Sequence, residues 1–231
     1  FHSFHRQSAR WAEAGAIALE TVAADDARFG DTFMARAASG DFDLIFVSHV
    51  MFGSGRVFDR LDELAALARP EGPWVVIDGY HAFMAIEVDL SNVADRIFYL
   101  AGGYKYAMAG EGVCFLHAPP GFGARPVNTG WFAAFDDLAL KPGQVGYAQD
   151  ARRFAGATFD PSGLYRFNAV QAMLKRELNP WKSATKMLDD AKSAIEGFTP
   201  ETAGERDPVM KERALDALRQ YEAQIKSVLP T

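Results

Sequence analysis

Cysteine is nearly missing from this chain: Cys114 is the single thiol in 231 residues. One cysteine excludes an intrachain disulfide framework and suits a reducing compartment, so a cytoplasmic protein is expected. No apolar stretch approaches the ~20 residues that a bilayer requires, so no membrane span is expected. Clusters of one charge are also lacking. The 24 Lys and Arg residues are scattered among 30 Asp and Glu residues, and the formal net charge of -6 argues against a nucleic-acid surface. There is no internal repeat, no low-complexity tract, no signal-peptide pattern and no expected metal site. A G-x-G-x-x-G after a first strand is absent, which sets aside a nicotinamide-binding domain. The chain also lacks an initiator methionine. It opens on Phe1-His2-Ser3-Phe4, in the middle of a motif, and is expected to be a truncated piece.

What is present is a composition that is 49% hydrophobic, enough for a sizeable core. Apolar runs alternate with helical periodicity. Ala16–Val22 reads as a short strand, Asp31–Ala38 as a short helix and Asp43–Val47 as a buried strand. Phe58, Leu61, Leu64, Ala65 and Ala68 recur at helical spacing and predict an amphipathic helix over Val57–Arg69, stopped by Pro70-Glu71-Gly72-Pro73. Strands follow at 74–77, 96–100 and 112–117. The link between the last two is too short for a helical crossover, so that pair is expected to be antiparallel or joined by an irregular loop. The fold class is α/β: a three-layer α/β/α arrangement around a mainly parallel, mixed sheet. Residues 118–162, rich in Gly, Pro and aromatics, read as long ordered loops, and helices follow from Leu164. Asn179-Pro180 and Gly204–Pro208 are expected breaks. Leu215, Leu218, Ile225 and Leu229 form one apolar stripe. The expected division is 1–162 and 163–231.

Two residues past strand ends carry chemistry. Asp78 closes the run Trp74-Val75-Val76-Ile77. Lys105 sits in Gly102-Gly103-Tyr104-Lys105-Tyr106 after Arg96–Leu100. An acid beside a pyridine nitrogen keeps that ring protonated as an electron sink, and a lysine among apolar neighbours can form a Schiff base with an aldehyde. The pairing suits pyridoxal 5'-phosphate. Asp78-Gly79-Tyr80-His81 followed by Gly103-Tyr104-Lys105-Tyr106 resembles the core of the class V aminotransferase group of fold type I pyridoxal-phosphate enzymes, which includes kynureninases and cysteine desulfurases. Ser48-His49-Val50 through Gly53-Ser54-Gly55 resembles the group's loop after the preceding strand, Thr129-Gly130-Trp131-Phe132 its kynureninase-type Gly-Trp segment, and Arg153-Phe154 through Gly156-Ala157-Thr158 a later loop, all in order. The likeness covers roughly residues 1 to 175.

The resemblance implies a fold type I large domain over 1–162 and an incomplete or atypical small domain over 163–231. Lys105 and Asp78 are then the catalytic pair. His81 lies near the ring oxygen, Phe1 stacks on the ring, and Tyr104 reaches the phosphate. Trp131 and Thr158 offer phosphate contacts across a homodimer. Gly103 stands where the group often has a phosphate-binding serine, so any contact there falls to its backbone N–H. Each position has a plainer reading: Asp78 as a turn former, His81 as a structural histidine, Phe1 and Trp131 as packing aromatics. Ser48, His49 and Asn128 are polar and near the site, or simply turn residues. Arg125, Arg153 and Arg166 are candidates for binding a substrate carboxylate. Cys114, inside an apolar strand, reads as inert packing, which counts against desulfurase activity. The expected function is aminotransfer on an amino acid. Kynureninase-like C–C hydrolysis and a non-catalytic dimerising module are the alternatives.

Overall fold

The computed structural model describes residues 2–136, 138–139, 141 and 143–177, with isolated positions beyond (186, 189–193, 212, 215, 216 and 219). Phe1, Leu218, Ile225, Leu229 and the expected breaks at 179–180 and 204–208 lie outside the described residues. The chain forms two compact units, Phe1–Asn168 and Ala169–Thr231.

In the first unit, four strands form one sheet in the order β1 (Leu44–Ser48), β2 (Trp74–Asp78), β3 (Ile97–Gly102), β4 (Cys114–His117). The first three are parallel, and β4 is antiparallel to β3. The central strands are written as unbroken apolar runs because both their faces are covered. Val75, Ile77, Ile97, Tyr99 and Ala101 are buried on one face, and Phe98 is buried on the other. On β1, Ile45 and Val47 join a core built with Phe29, Met34 and Ala37 of α2 (Phe29–Ser39) and Leu64 and Ala65 of α3 (Leu61–Ala65). Side chains alternate across a strand, so Phe46 faces the other way. There it stacks on Phe4 of α1 (His2–Glu13), ring centroids 3.7 Å apart. Helices therefore cover both faces, and the fold is a three-layer α/β/α one.

Four sequence expectations need correction. Asp43–Val47 is not buried throughout: β1 is an edge strand and Leu44 is exposed. Ala16–Val22 is not a strand. It is mostly exposed and pairs with no strand among the described residues, and Glu20 instead holds Arg36 of α2 through two 2.5 Å hydrogen bonds. The helix expected over Val57–Arg69 shrinks to α3. Val57 bridges to Val50, and the Phe58 N–H donates to the His49 carbonyl at 2.8 Å, which draws the segment's start into the loop after β1. The periodicity survives the loss of helix, since Phe58, Leu64, Ala65 and Ala68 are all buried. Cys114 is exposed rather than packed inside, because β4 is the other edge of the sheet.

Residues 118–162 are loops with two 3-10 turns, Trp131–Ala134 and Ala151–Phe154. The Ala148 N–H ties to the Ala133 carbonyl at 2.7 Å. In the second unit, Ala169–Glu177 is helical, the latter part of α4 (Ser162–Glu177). Among the described residues, no helix is long and apolar enough to cross a membrane.

Candidate active site

Asp78 ends β2 with 1% of its surface exposed. Its Oδ1 accepts from the Tyr80 N–H at 3.0 Å, and its Oδ2 accepts from the Ser48 hydroxyl at 2.8 Å. Gly79 follows because the ring of buried Tyr99 occupies the space a methyl group would need. Lys105 lies on the turn between β3 and β4. The Gly103 N–H donates to the Val113 carbonyl at 2.9 Å, and the Ala109 N–H donates to the Gly103 carbonyl at 2.7 Å. Met108, Gly110 and Gly112 adopt left-handed backbone conformations that let the turn close. Arg166 of α4 clamps it from outside, donating from Nε to the Ala109 carbonyl at 3.0 Å and from Nη2 to the Glu111 carbonyl.

This framework brings the Lys105 Nζ to 2.7 Å from His81 Nε2. The rings of Tyr80 and Tyr104 each lie 5.7 Å from the same nitrogen. Burial pushes the Lys105 amine below the ordinary lysine range, and the Asp78 charge pulls partly the other way. His81 is held below the usual imidazole range, first by burial and then by the neighbouring Lys105 cation. A neutral His81 can accept a proton-bearing contact from Lys105. A cavity of about 220 Å³ opens beside the pair, walled by Val50, Met51, Phe52 and Gly55 on one side and by His81, Lys105 and Tyr106 on the other. Behind Asp78, burial and then the Asp78 charge push the Tyr99 hydroxyl up to about 12. That hydroxyl lies 3.3 Å from His49 Nδ1, and burial lowers the His49 pKa. Among the described residues, no group of three His, Cys, Asp or Glu side chains could hold a metal ion.

No protein-family model matches the chain. Over 152 residues it is 29% identical to an isopenicillin N epimerase from Streptomyces clavuligerus, which takes in 63% of this chain and 33% of that protein. Its identity to the Amycolatopsis lactamdurans isopenicillin N epimerase is 28% over 148 residues, with the same shares. The chain thus spans about a third of the length of these curated relatives. The apo structure of a cysteine desulfurase from Thermococcus onnurineus NA1 superposes with a TM-score of 0.55 at 19% identity, covering 84% of this chain and 49% of that one. These likenesses in sequence and fold support the resemblance to class V, fold type I pyridoxal-phosphate enzymes. A fold type I site needs a buried acid for the ring nitrogen and a lysine of lowered basicity for the aldehyde. Asp78 and Lys105 fit both requirements: the acid is buried at a strand end, and the amine stands at a cavity wall.

Lys105, Asp78 and His81 therefore gather in one place, with Tyr104 at its margin, 42% exposed and its ring beside Lys105. Trp131 and Thr158 do not line this cavity. Trp131 is 49% exposed and packs on Phe132 and Phe135, and Thr158 is exposed. The Gly103 N–H is not available to a phosphate, since it is already bonded to Val113. A serine there would also push its Cβ to 2.5 Å from the Val113 side chain, which accounts for the glycine. All three candidate arginines donate to backbone carbonyls. Arg153, 2% exposed, donates to the Pro119, Phe122 and Gly123 carbonyls. Arg166 clamps the lysine turn, and Arg125 donates to the Val145 carbonyl at 3.2 Å. The sequence reading missed Phe52 and Tyr99. Phe52 is 76% exposed and its ring centroid lies 5.2 Å from that of His81. An aromatic four residues past β1 was the available signal for Phe52.

Proposed function

We propose that this protein acts on the α-carbon of an amino acid, most simply as an aminotransferase, with Lys105 as covalent anchor of the cofactor and carrier of the α-proton. The observation that carries the reading is the 2.7 Å contact between Lys105 Nζ and His81 Nε2 at the cavity wall, beside buried Asp78. When bound, pyridoxal phosphate supplies the electron sink that makes an α-proton acidic. Asp78, held by Ser48 and Tyr80, would present a carboxylate to the ring nitrogen and keep a proton there. Burial leaves the Lys105 amine less basic, so more of it is neutral and able to take that proton near neutral pH. His81 steadies the amine between taking the proton and returning it. Phe52 and Met51 form the apolar wall against which a substrate side chain would lie.

Epimerisation is the second reading, favoured by the two relatives named as epimerases. It uses the same proton carrier and differs in where the proton is returned. Kynureninase-like C–C hydrolysis rests on Trp131 and the Asp78–His81 spacing. It draws less support, because among the described residues Trp131 stacks on Phe132 and Phe135 of its own loop and does not line the cavity. A homodimer belongs to the proposal, with Trp131 and Thr158 serving the partner's site, and so does a cytoplasmic location consistent with the single thiol. The test is to load the protein with pyridoxal phosphate and supply amino acids in deuterated water, with and without a keto acid. Deuterium at the α-carbon supports the proton-carrier role, and amino transfer to the keto acid supports aminotransfer over epimerisation. Loss of chirality without transfer favours the second reading. A protein that takes up no cofactor chromophore is a non-catalytic module of this fold.

A further inference from the structure

We infer that Ser48 is a positioning residue for the ring-nitrogen contact of Asp78. The inference rests on the cofactor reading above. Ser48 and Asp78 are paired across β1 and β2, the last register position of both strands. The His49 N–H donates to the Asp78 carbonyl at 2.8 Å, which fixes the two strand ends against each other. The Ser48 hydroxyl is thereby delivered to Asp78 Oδ2 at 2.8 Å, while the Tyr80 N–H holds Oδ1 at 3.0 Å. With one donor on each oxygen, the carboxylate plane is set and each oxygen retains lone-pair capacity for a ligand. Ser48 supplies the side-chain donor at Oδ2, as the Tyr80 backbone supplies the one at Oδ1. Without it the carboxyl group can rotate about its last bond, a broad and soft torsion. The buried charge would then meet a pyridinium N–H in a poorer geometry.

A structural role and a positioning role separate on a ligand that lacks the ring nitrogen. Wild type, Ser48→Ala and Ser48→Thr are titrated with pyridoxal phosphate and with its 1-deaza analogue, in which a C–H replaces that nitrogen. Binding is read by absorbance and by borohydride trapping. Outer partners of metal ligands commonly contribute roughly 10–100-fold in affinity, and the same order is expected for the outer partner of a cofactor-binding carboxylate. Ser48→Ala is expected to weaken pyridoxal phosphate about tenfold and to leave the analogue at its wild-type affinity. Ser48→Thr, which keeps the hydroxyl, restores wild-type binding of both. Equal loss for the two ligands, or no loss for either, overturns the positioning role. Failure of the wild type to bind pyridoxal phosphate at all is a different result, which removes the cofactor reading and this inference with it.

Discussion

Asp78 is asked to do two things, hold a fold together and hold a charge, and two substitutions separate them. Asp78→Ala strips the acceptor from the Tyr80 N–H and the Ser48 hydroxyl in a site where Asp78 itself is 1% exposed. A buried donor left unmet costs about 1–3 kcal/mol, so the loss is about 2–4 kcal/mol after the serine hydroxyl turns elsewhere. At about 2–4 °C per kcal/mol for a chain of this size, the melting temperature falls by roughly 5–15 °C. Asp78→Asn behaves differently. Its amide oxygen keeps the Tyr80 N–H and its NH2 donates to the Ser48 oxygen, so the loss is about 1 kcal/mol, the step from a charge-assisted bond to a neutral one. Neither variant keeps the negative charge, and both are expected to lose on the order of 10²-fold or more in α-proton exchange. Thermal unfolding of the cofactor-free variants and deuterium exchange of the loaded ones give the two axes. If Asn destabilises as much as Ala, the hydrogen-bond account is wrong. If Asn retains near-wild-type exchange, the charge has no catalytic part.

Three further predictions are independent of that one. Lys105→Ala should abolish the borohydride-fixed cofactor adduct while leaving the melting temperature close to wild type, because the amine sits at a cavity wall rather than in the core; a persistent adduct would point to another lysine. Gly79→Ala should destabilise by about 1–3 kcal/mol, since the added methyl meets the ring of buried Tyr99, and Gly79→Ala combined with Tyr99→Leu should recover part of that loss. Burial holds both His49 and His81 below the usual imidazole range, so the unfolded chain takes up protons first as the pH falls. Stability should therefore decline as the pH is lowered through and below the imidazole range. Melting curves across that window check this, and a flat profile, or the same decline in a His49→Phe, His81→Asn double variant, would contradict it.

Some of this architecture is legible in the sequence because burial leaves a mark on composition. The runs at 74–77 and 96–100 are unbroken because their strands are covered on both faces, and Asp78 and Lys105 stand out as polar residues that interrupt apolar surroundings. The β3–β4 reversal follows from a link too short to cross over. The remainder depends on partners distant in the chain. Ser48 meets Asp78 through strand register, which no local pattern encodes. Val57 begins no helix because Val50 pairs with it. An arginine that forks backbone carbonyls, as Arg153 does, is written like one that forks a substrate carboxylate. Cys114 sits in an apolar run that belongs to the sheet's edge, and an edge strand and a core strand share the same letters.

The turn that carries Lys105 is closed at its base by Gly103 and Val113 and gripped by Arg166. An amine that must visit more than one position therefore moves on a fixed hub, and its travel comes from its own flexible methylene stem rather than from the backbone. The opposite wall of the cavity, Val50 through Gly55, hangs from a different loop with its own bridge between Val50 and Val57. In the proposed function, machinery and recognition are thus assigned to separate loops. Drift in the Val50–Gly55 loop can retune which side chain is accepted while the lysine keeps its aim, which is the kind of independence that lets one scaffold radiate into many substrates.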